Sequence, residues 1–417
     1  MRPIILAVAA AAILAPAACS KKEAPAPETA APAEEGVVHV SAEGDFAENL
    51  QLALIEAEPG QTIVMPEGTF EFTTGLSLDV DDVTLAGAGQ GKTILDFAGQ
   101  TGAGEGLLVT ADDVVLTDFG IRDTKGDGIK SKDSDRITYQ YLTVEWSGEP
   151  DETNGAYGIY PVESTDVLVQ NCTVRGASDA GIYVGQSQNI IVRDSVAEYN
   201  VAGIEIENSS YADVYGNIAR HNAGGILVFD LPDLPVMGGH STRVYDNDIV
   251  ENNTVNFAPV GNIVAGVPSG TGLIVMANSD VYVTGNRFKD NRSVHVMLTA
   301  YTEPFTDENY NPLLNDITIT GNTYEGGLDD PQGMLTPIAA AIGGQLPAIM
   351  TDGVTRWDGG EDQTVNLVIA EAPEVGFINI GLGEYPVDPA KMQPRTDRPA
   401  STPVPEREPV ALPQDQK

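Results

Sequence analysis

Between Gly106 and Asn322 the chain repeats itself about every 22 residues, and this period constrains the fold more than any other feature. Gly-apolar pairs fall at Gly106-Leu107, Gly128-Ile129, Gly158-Ile159, Gly181-Ile182, Gly203-Ile204, Gly225-Ile226 and Gly272-Leu273, at intervals of 22, 30, 23, 22, 22 and 47. A second short strand follows each pair, starting at Asp113-Val114, Asp166-Val167, Asn189-Ile190, Asp213-Val214 and Asp280-Val281. A third opens on a polar turn residue: Asn171, Asp194, Asn217, Asn247, Asn286 and Asn322. Three short strands per repeat cannot bury a face alone and must stack on the next repeat. Leucine-rich repeats would show their Leu consensus, and helix pairs a 3.6-residue period, which Asp166-Val167-Leu168-Val169 does not have. The pattern predicts an all-β chain: a single-stranded right-handed parallel β-helix with three short strands per coil. The asparagines are expected to recur at one corner and to bond coil to coil through their amides.

At 417 residues the length permits several domains, but the unbroken period argues for one solenoid, 37–333, with appendages. Phe46, Leu50 and Leu54 at i, i+4 and i+8 predict a helix capping its N-terminal end, where unpaired strand edges would otherwise lie open. Residues 334–385 lose the period and are expected to form a C-terminal cap or a small β appendage. The Pro-rich tail 386–417 is expected to be disordered.

Residues 1–19 carry a charged start, an apolar stretch and Ala15-Pro16-Ala17-Ala18-Cys19, which reads as an export signal. The last residues resemble a bacterial lipobox, although Pro16 stands where Leu is usual. The resemblance implies lipidation at Cys19, an outer-membrane lipoprotein of a Gram-negative envelope, and membrane contact through the lipid anchor alone. The Ala/Pro/Glu-rich stretch 20–36 is then a tether.

Lys and Arg number 22 against 61 Asp and Glu, a net charge of −39, which argues against nucleic acid as a partner. Cys172 is expected to be a packed thiol. Four histidines with no Cys/His cluster predict no structural zinc, and no other cofactor is implied; a divalent cation such as calcium has no motif behind it.

Strand alternation places positions two and four after each Gly outward. One outward column then reads Lys130, Tyr160, Tyr183, Glu205, Leu227, Ile274 and His295, and the next Lys132, Val162, Gly185, Glu207, Phe229, Met276 and Met297. The apolar half needs a cover, which insertions 229–241, 254–269 and 299–315 can supply. The polar half reads as an open groove. There Tyr157, Tyr160 and Tyr183 would stack sugar rings, and Lys130, Lys132, Glu205 and Glu207 would meet hydroxyls or acidic groups. If the face is catalytic, Lys130, Glu205 and Glu207 are the candidates. The two glutamates, about 6.7 Å apart along one strand, suit a hydrolase pair, and Lys130 with the tyrosines suits a lyase.

Tyr157-Gly158-Ile159-Tyr160-Pro161-Val162-Glu163 resembles the mannuronan epimerase signature Tyr-Gly-Phe-Asp-Pro-His-Asp. Tyr160 replaces the catalytic Asp and Val162 the catalytic His, so the resemblance implies the fold without epimerase chemistry. The whole layout also resembles exported, lipid-anchored β-helix repeat proteins that are encoded beside another exported protein. Three functions follow as expectations: a polysaccharide-binding envelope lipoprotein, a non-catalytic scaffold docking another exported protein, or a polysaccharide lyase or glycoside hydrolase.

Overall fold

A computed structural model describes residues 36–102, 104–363 and 365–416. The signal, Cys19 and almost all of the tether lie outside them. The chain winds as a right-handed parallel β-helix. Its first strands form an 11-stranded sheet, and its second and third strands join in a 20-stranded one. Leu76, Leu107, Ile129, Ile159, Ile182, Ile204, Ile226, Leu273, Val296, Ile349 and Phe377 meet Cα to Cα up the inner face of the first sheet. Every one is buried, so each coil closes the apolar face that its neighbour leaves open.

The glycine before nine of these eleven inner residues has a steric cause. A Cβ at Gly181 would lie 2.6 Å from the Asn200 amide nitrogen and 2.9 Å from the Gly203 carbonyl oxygen. That corner is filled by a buried ladder in which Asn200, Asn222 and Asn252 each donate to the next residue's amide oxygen, ending on Asn291. His295 takes the glycine register in the following coil, since Thr271 pairs with Val294. Its Nδ1 lies 3.3 Å from the Asn291 amide nitrogen and its Nε2 3.1 Å from the Gly326 carbonyl. Burial lowers its pKa to about 4, so the ring is neutral. His295 therefore ends a ladder and is not in the outward column expected for it. Met297 takes that place, and Thr299 stands in the second column where Met297 was expected.

The expected corner ladder exists for part of its set. Ser195, Asn217, Asn247, Asn286 and Asn322 link coil to coil, with Cys172 at one end and Glu371 at the other. Asn171 and Asp194 do not belong to it. They sit one residue earlier with φ of 52° and 50°, in the left-handed turn position that Gly216, Gly285 and Gly321 fill elsewhere.

The N-terminal helix runs Phe46–Ile55 with Asp45 accepting from the Ala47 and Glu48 amides, and it buries Phe46, Leu50 and Leu54. Gln51 bonds both the N–H and the C=O of Ser77, satisfying the edge strand. At the other end the coil continues past 333. Strands Ile349–Thr351 and Phe377–Asn379 extend the first sheet, Leu367–Ala370 extends the second-strand side, and Val354–Trp357 pairs with Gly383–Tyr385 as a separate ribbon.

The tail departs from the expected disorder and lies as a strap along the second-strand sheet. Its occupants are dictated by one outward column, Leu168, Ile191, Asp213 and Arg243. Leu412 is buried against Leu168 and Ile191. Arg407 Nη2 lies 2.6 Å from Asp213 Oδ1, and the Val410 amide donates to Asp213 Oδ2 at 2.9 Å. No helix among the described residues is long and apolar enough to cross a membrane.

Candidate functional site

The outward columns bring Tyr160, Tyr183 and Glu205 side by side in successive coils, with Lys130 before them and Leu227 after. Tyr157 joins from one position before the repeat glycine. The rings of Tyr157, Tyr160 and Tyr183 pack on one another at centroid distances of 4.5, 4.6 and 4.9 Å. Tyr183 is only 4% exposed. The open row of stacking platforms is thus replaced by a packed aromatic cluster, because three neighbouring rings bury more apolar area against each other than against water.

Tyr183 leans along its strand over Gly185 and donates to Glu207 Oε1 at 2.7 Å. A Cβ at residue 185 would lie 2.2 Å from the Tyr183 hydroxyl oxygen, so the glycine makes this reach possible. Glu205, on the neighbouring column, is 1% exposed, and its Oε2 has no hydrogen-bond partner among the described residues.

The insertions cover more than the apolar half. Asn208 fastens 229–241 down by donating to the Leu231 and Val236 carbonyls and accepting from the Leu231 amide. Asn256 ties 254–269 together by donating to the Val264 and Val267 carbonyls. Beneath these loops lies a cavity of about 380 Å³, within the roughly 300–1,000 Å³ range of small-molecule sites. Glu205, Glu207 and Tyr157 line it from the sheet, Leu231, Pro232 and Leu234 from the first loop, and Asn262 and Val264 from the second.

Asp179 is the third carboxyl in the cavity. It comes from the turn before Ala180–Gly185 and accepts from the Asn262 amide at 3.0 Å. Burial raises the Asp179 carboxyl to about 7, opposed by its hydrogen bonds from Asn262 and Tyr157. Burial likewise raises Glu207 to about 7 against the Tyr183 hydrogen bond. Glu205 is also raised well above the ordinary glutamate value, by burial first and then by the charges of Glu207 and Asp179. Three acids in one desolvated space cannot all ionise, so at neutral pH they share protons. On the flanks, Asp127 and Asp230 are each raised to about 6 by burial.

The lysines stay outside this cavity. Lys130 lies 4.7 Å over the Tyr160 ring and 3.8 Å from Glu105, and Lys132 pairs with Glu163 at 3.4 Å. Tyr160 and Val162, at the two replaced positions of the epimerase-like signature, face the aromatic cluster and a buried spot respectively. Asp179, Asp127 and Asp230 carry no repeat signature of their own. An Asp in the turn ahead of a repeat Gly, directly before Gly128 for Asp127 and two residues before Gly181 for Asp179, reads as a turn former, and only the fold shows Asp179 turned into the cavity.

Residues 105–256 match a family model described as a right handed beta helix region. No curated protein matches the sequence significantly. Among solved structures the chain is similar to the A-module of a mannuronan C-5 epimerase from Azotobacter vinelandii. That match has a TM-score of 0.50 and 14% identity, covering 79% of this chain and 92% of that one. It is also similar to DFA-IIIase from Arthrobacter chlorophenolicus. In complex with GF2 and without its lid, that enzyme gives a TM-score of 0.52 at 13% identity, over 82% of this chain and 100% of the other. In complex with DFA-III it gives 0.51 at 14%, over 82% and 98%. At these identities the likeness is one of fold alone.

Proposed function

We propose that the protein is a carbohydrate-active enzyme that takes a short, neutral saccharide into the covered cavity and acts on a glycosidic bond by acid-base chemistry. The observation that carries this reading is the convergence of Glu205, Glu207 and Asp179 on one cavity beneath the loops. Glycosidic cleavage needs one carboxyl that holds its proton and another that does not. Glu205, the most deeply buried and without a partner on Oε2, is the proton donor. Asp179 reaches the cavity from a separate turn, so it meets the bond from a different wall than the strand glutamates do, and it is the carboxylate. Glu207, held by Tyr183, tunes both through its charge.

A uronate is a poor substrate on this reading. Lys130 and Lys132 are committed to Glu105 and Glu163 outside the cavity, which leaves a sugar carboxylate facing unneutralised acids. The DFA-IIIase structures supply a parallel, a chain of similar fold in complex with GF2 and with DFA-III. The lipobox resemblance supports an envelope lipoprotein anchored through Cys19 as the setting.

The test is a panel of neutral oligosaccharides with product analysis on wild type, Glu205→Gln and Asp179→Asn. Turnover by wild type that falls at least about a hundredfold in each variant, with saccharide binding retained in Glu205→Gln, is the expected result. Binding without turnover in wild type would make the protein a saccharide-binding module, and neither would leave the docking scaffold.

A further inference from the structure

A second cavity, of about 500 Å³, lies further along the same sheet, and its walls differ in kind from the first. Met297, Met350 and Ile380 form its floor, Ile338 and Ala341 of the helix Leu335–Ile342 one wall, and Met392 part of another. The polar group at its base, Asp352, is already satisfied by Thr299 and by the amides of Ala300 and Val354, so it offers a ligand nothing. What remains is apolar and methionine-rich, a surface that adapts to flexible hydrocarbon.

The two cavities share a wall. Tyr301 lines the carboxyl cavity, while Thr302, next to it in the chain, and Thr299, two residues before it, line the apolar one. Glu205, Leu227, Ile274 and Met297 are partners in successive coils, which sets Met297 three strand spacings, roughly 14 Å, from Glu205. Leu227 and Ile274, between them on the sheet, are buried, and the two cavities adjoin at the Tyr301–Thr302 segment. We propose that the apolar cavity is the other half of the saccharide site and holds the hydrocarbon part of an amphiphilic glycoside, a sugar carrying an alkyl or acyl chain. This rests on the saccharide reading above, and it names the substrate class of that site.

Three probes separate the two claims: methyl and octyl glycosides of glucose, galactose and mannose, and octan-1-ol alone. Each methylene moved out of water tightens binding roughly threefold to fourfold, so for the preferred sugar the octyl glycoside is expected to bind at least about a hundredfold tighter than the methyl one. Ala341→Trp, which fills the cavity from an exposed helix position, should collapse the octyl-to-methyl ratio towards one. Met334→Glu at the rim, where Met334 is 60% exposed, should lower the ratio without any demand on packing. Octan-1-ol should bind wild type and fail to bind Ala341→Trp. Equal affinity for methyl and octyl glycosides overturns the inference while leaving the saccharide reading intact. Octan-1-ol binding as tightly as every octyl glycoside, with no methyl glycoside binding at all, overturns the saccharide reading and the amphiphile with it.

Discussion

The Tyr183 hydroxyl lies 2.7 Å from Glu207 Oε1, a contact that crosses from one coil to the next and exists because residue 185 has no side chain. Gly185→Ala places a methyl group within the tyrosine ring's volume. The ring must move, and Glu207 loses the Tyr183 hydrogen bond while staying buried. The expected result is a folded protein destabilised by about 1–3 kcal/mol that loses most of its saccharide turnover. Circular dichroism, thermal melts and the oligosaccharide assay read the three parts separately. An alanine variant with wild-type activity would show that the Tyr183–Glu207 contact does not matter to the site.

The carboxyl cluster predicts how stability changes with pH. Glu207 and Asp179 are raised from 4.5 and 3.8 to about 7 by burial. Between those values the folded chain binds more protons than the unfolded one, so this contribution is complete below about pH 4 and is lost as the pH climbs towards 7. Glu207→Gln removes one titrating group and keeps an oxygen for Tyr183. Its stability should exceed that of wild type at pH 8, by a margin on the order of 3 kcal/mol read from thermal melts, and the two should converge at pH 4. Wild type melting higher than Glu207→Gln at pH 8 would contradict the raised carboxyl.

The inner ladder tests how far sequence alone could read the structure. Asn247 accepts from the amide and side chain of Asn217 and donates to the Val214 carbonyl. Asn247→Ala strands several buried groups and should cost about 2–4 kcal/mol, whereas Asn171→Ala at a half-buried turn should cost under about 1 kcal/mol. The two residues look alike in the repeat, because a left-handed turn and a ladder position one residue later both favour Asn. Register decides between them, and register emerges only when coils are stacked.

Stacking likewise decides the site. Period and alternation sufficed to put Tyr160, Tyr183 and Glu205 in one column. They could not show that Tyr183 would fold over Gly185, or that Asp179 would leave its turn for the cavity, since side-chain direction and loop placement depend on tertiary packing. The inference of an open polar groove failed for that reason: loops long enough to cover the apolar half were long enough to reach the glutamates as well.

For the envelope setting, Cys19→Ser is the decisive variant. If the lipobox-like sequence is processed, the variant should leave the membrane fraction and appear among soluble exported proteins, since a lone peptide tether supplies no membrane affinity. Membrane association that survives the substitution would mean that Cys19 carries no anchor.

The strap offers the last test, and here the sequence did hold a signal. In Val167-Leu168-Val169 and Ile190-Ile191-Val192 the strand is apolar on both faces, so Leu168 and Ile191 point outward and require a cover. A Pro-rich segment suits that task, because proline lacks the N–H needed to extend a sheet and lies across it instead. Asp213, 1% exposed, is bonded by Arg407 and approached by Arg243 at 3.5 Å. Arg407→Ala keeps Arg243 in place, so the cost should stay near 1–2 kcal/mol, below the 3–5 kcal/mol typical of a buried charge left wholly alone. Leu412→Asp attacks the other fastening by setting a charge between Leu168 and Ile191. Both variants should release the strap before the coils unfold, which limited proteolysis with mass spectrometry would detect as early cleavage between 397 and 417 on an otherwise resistant body. Cleavage there at the same rate in wild type and both variants would mean that these contacts do not hold the strap.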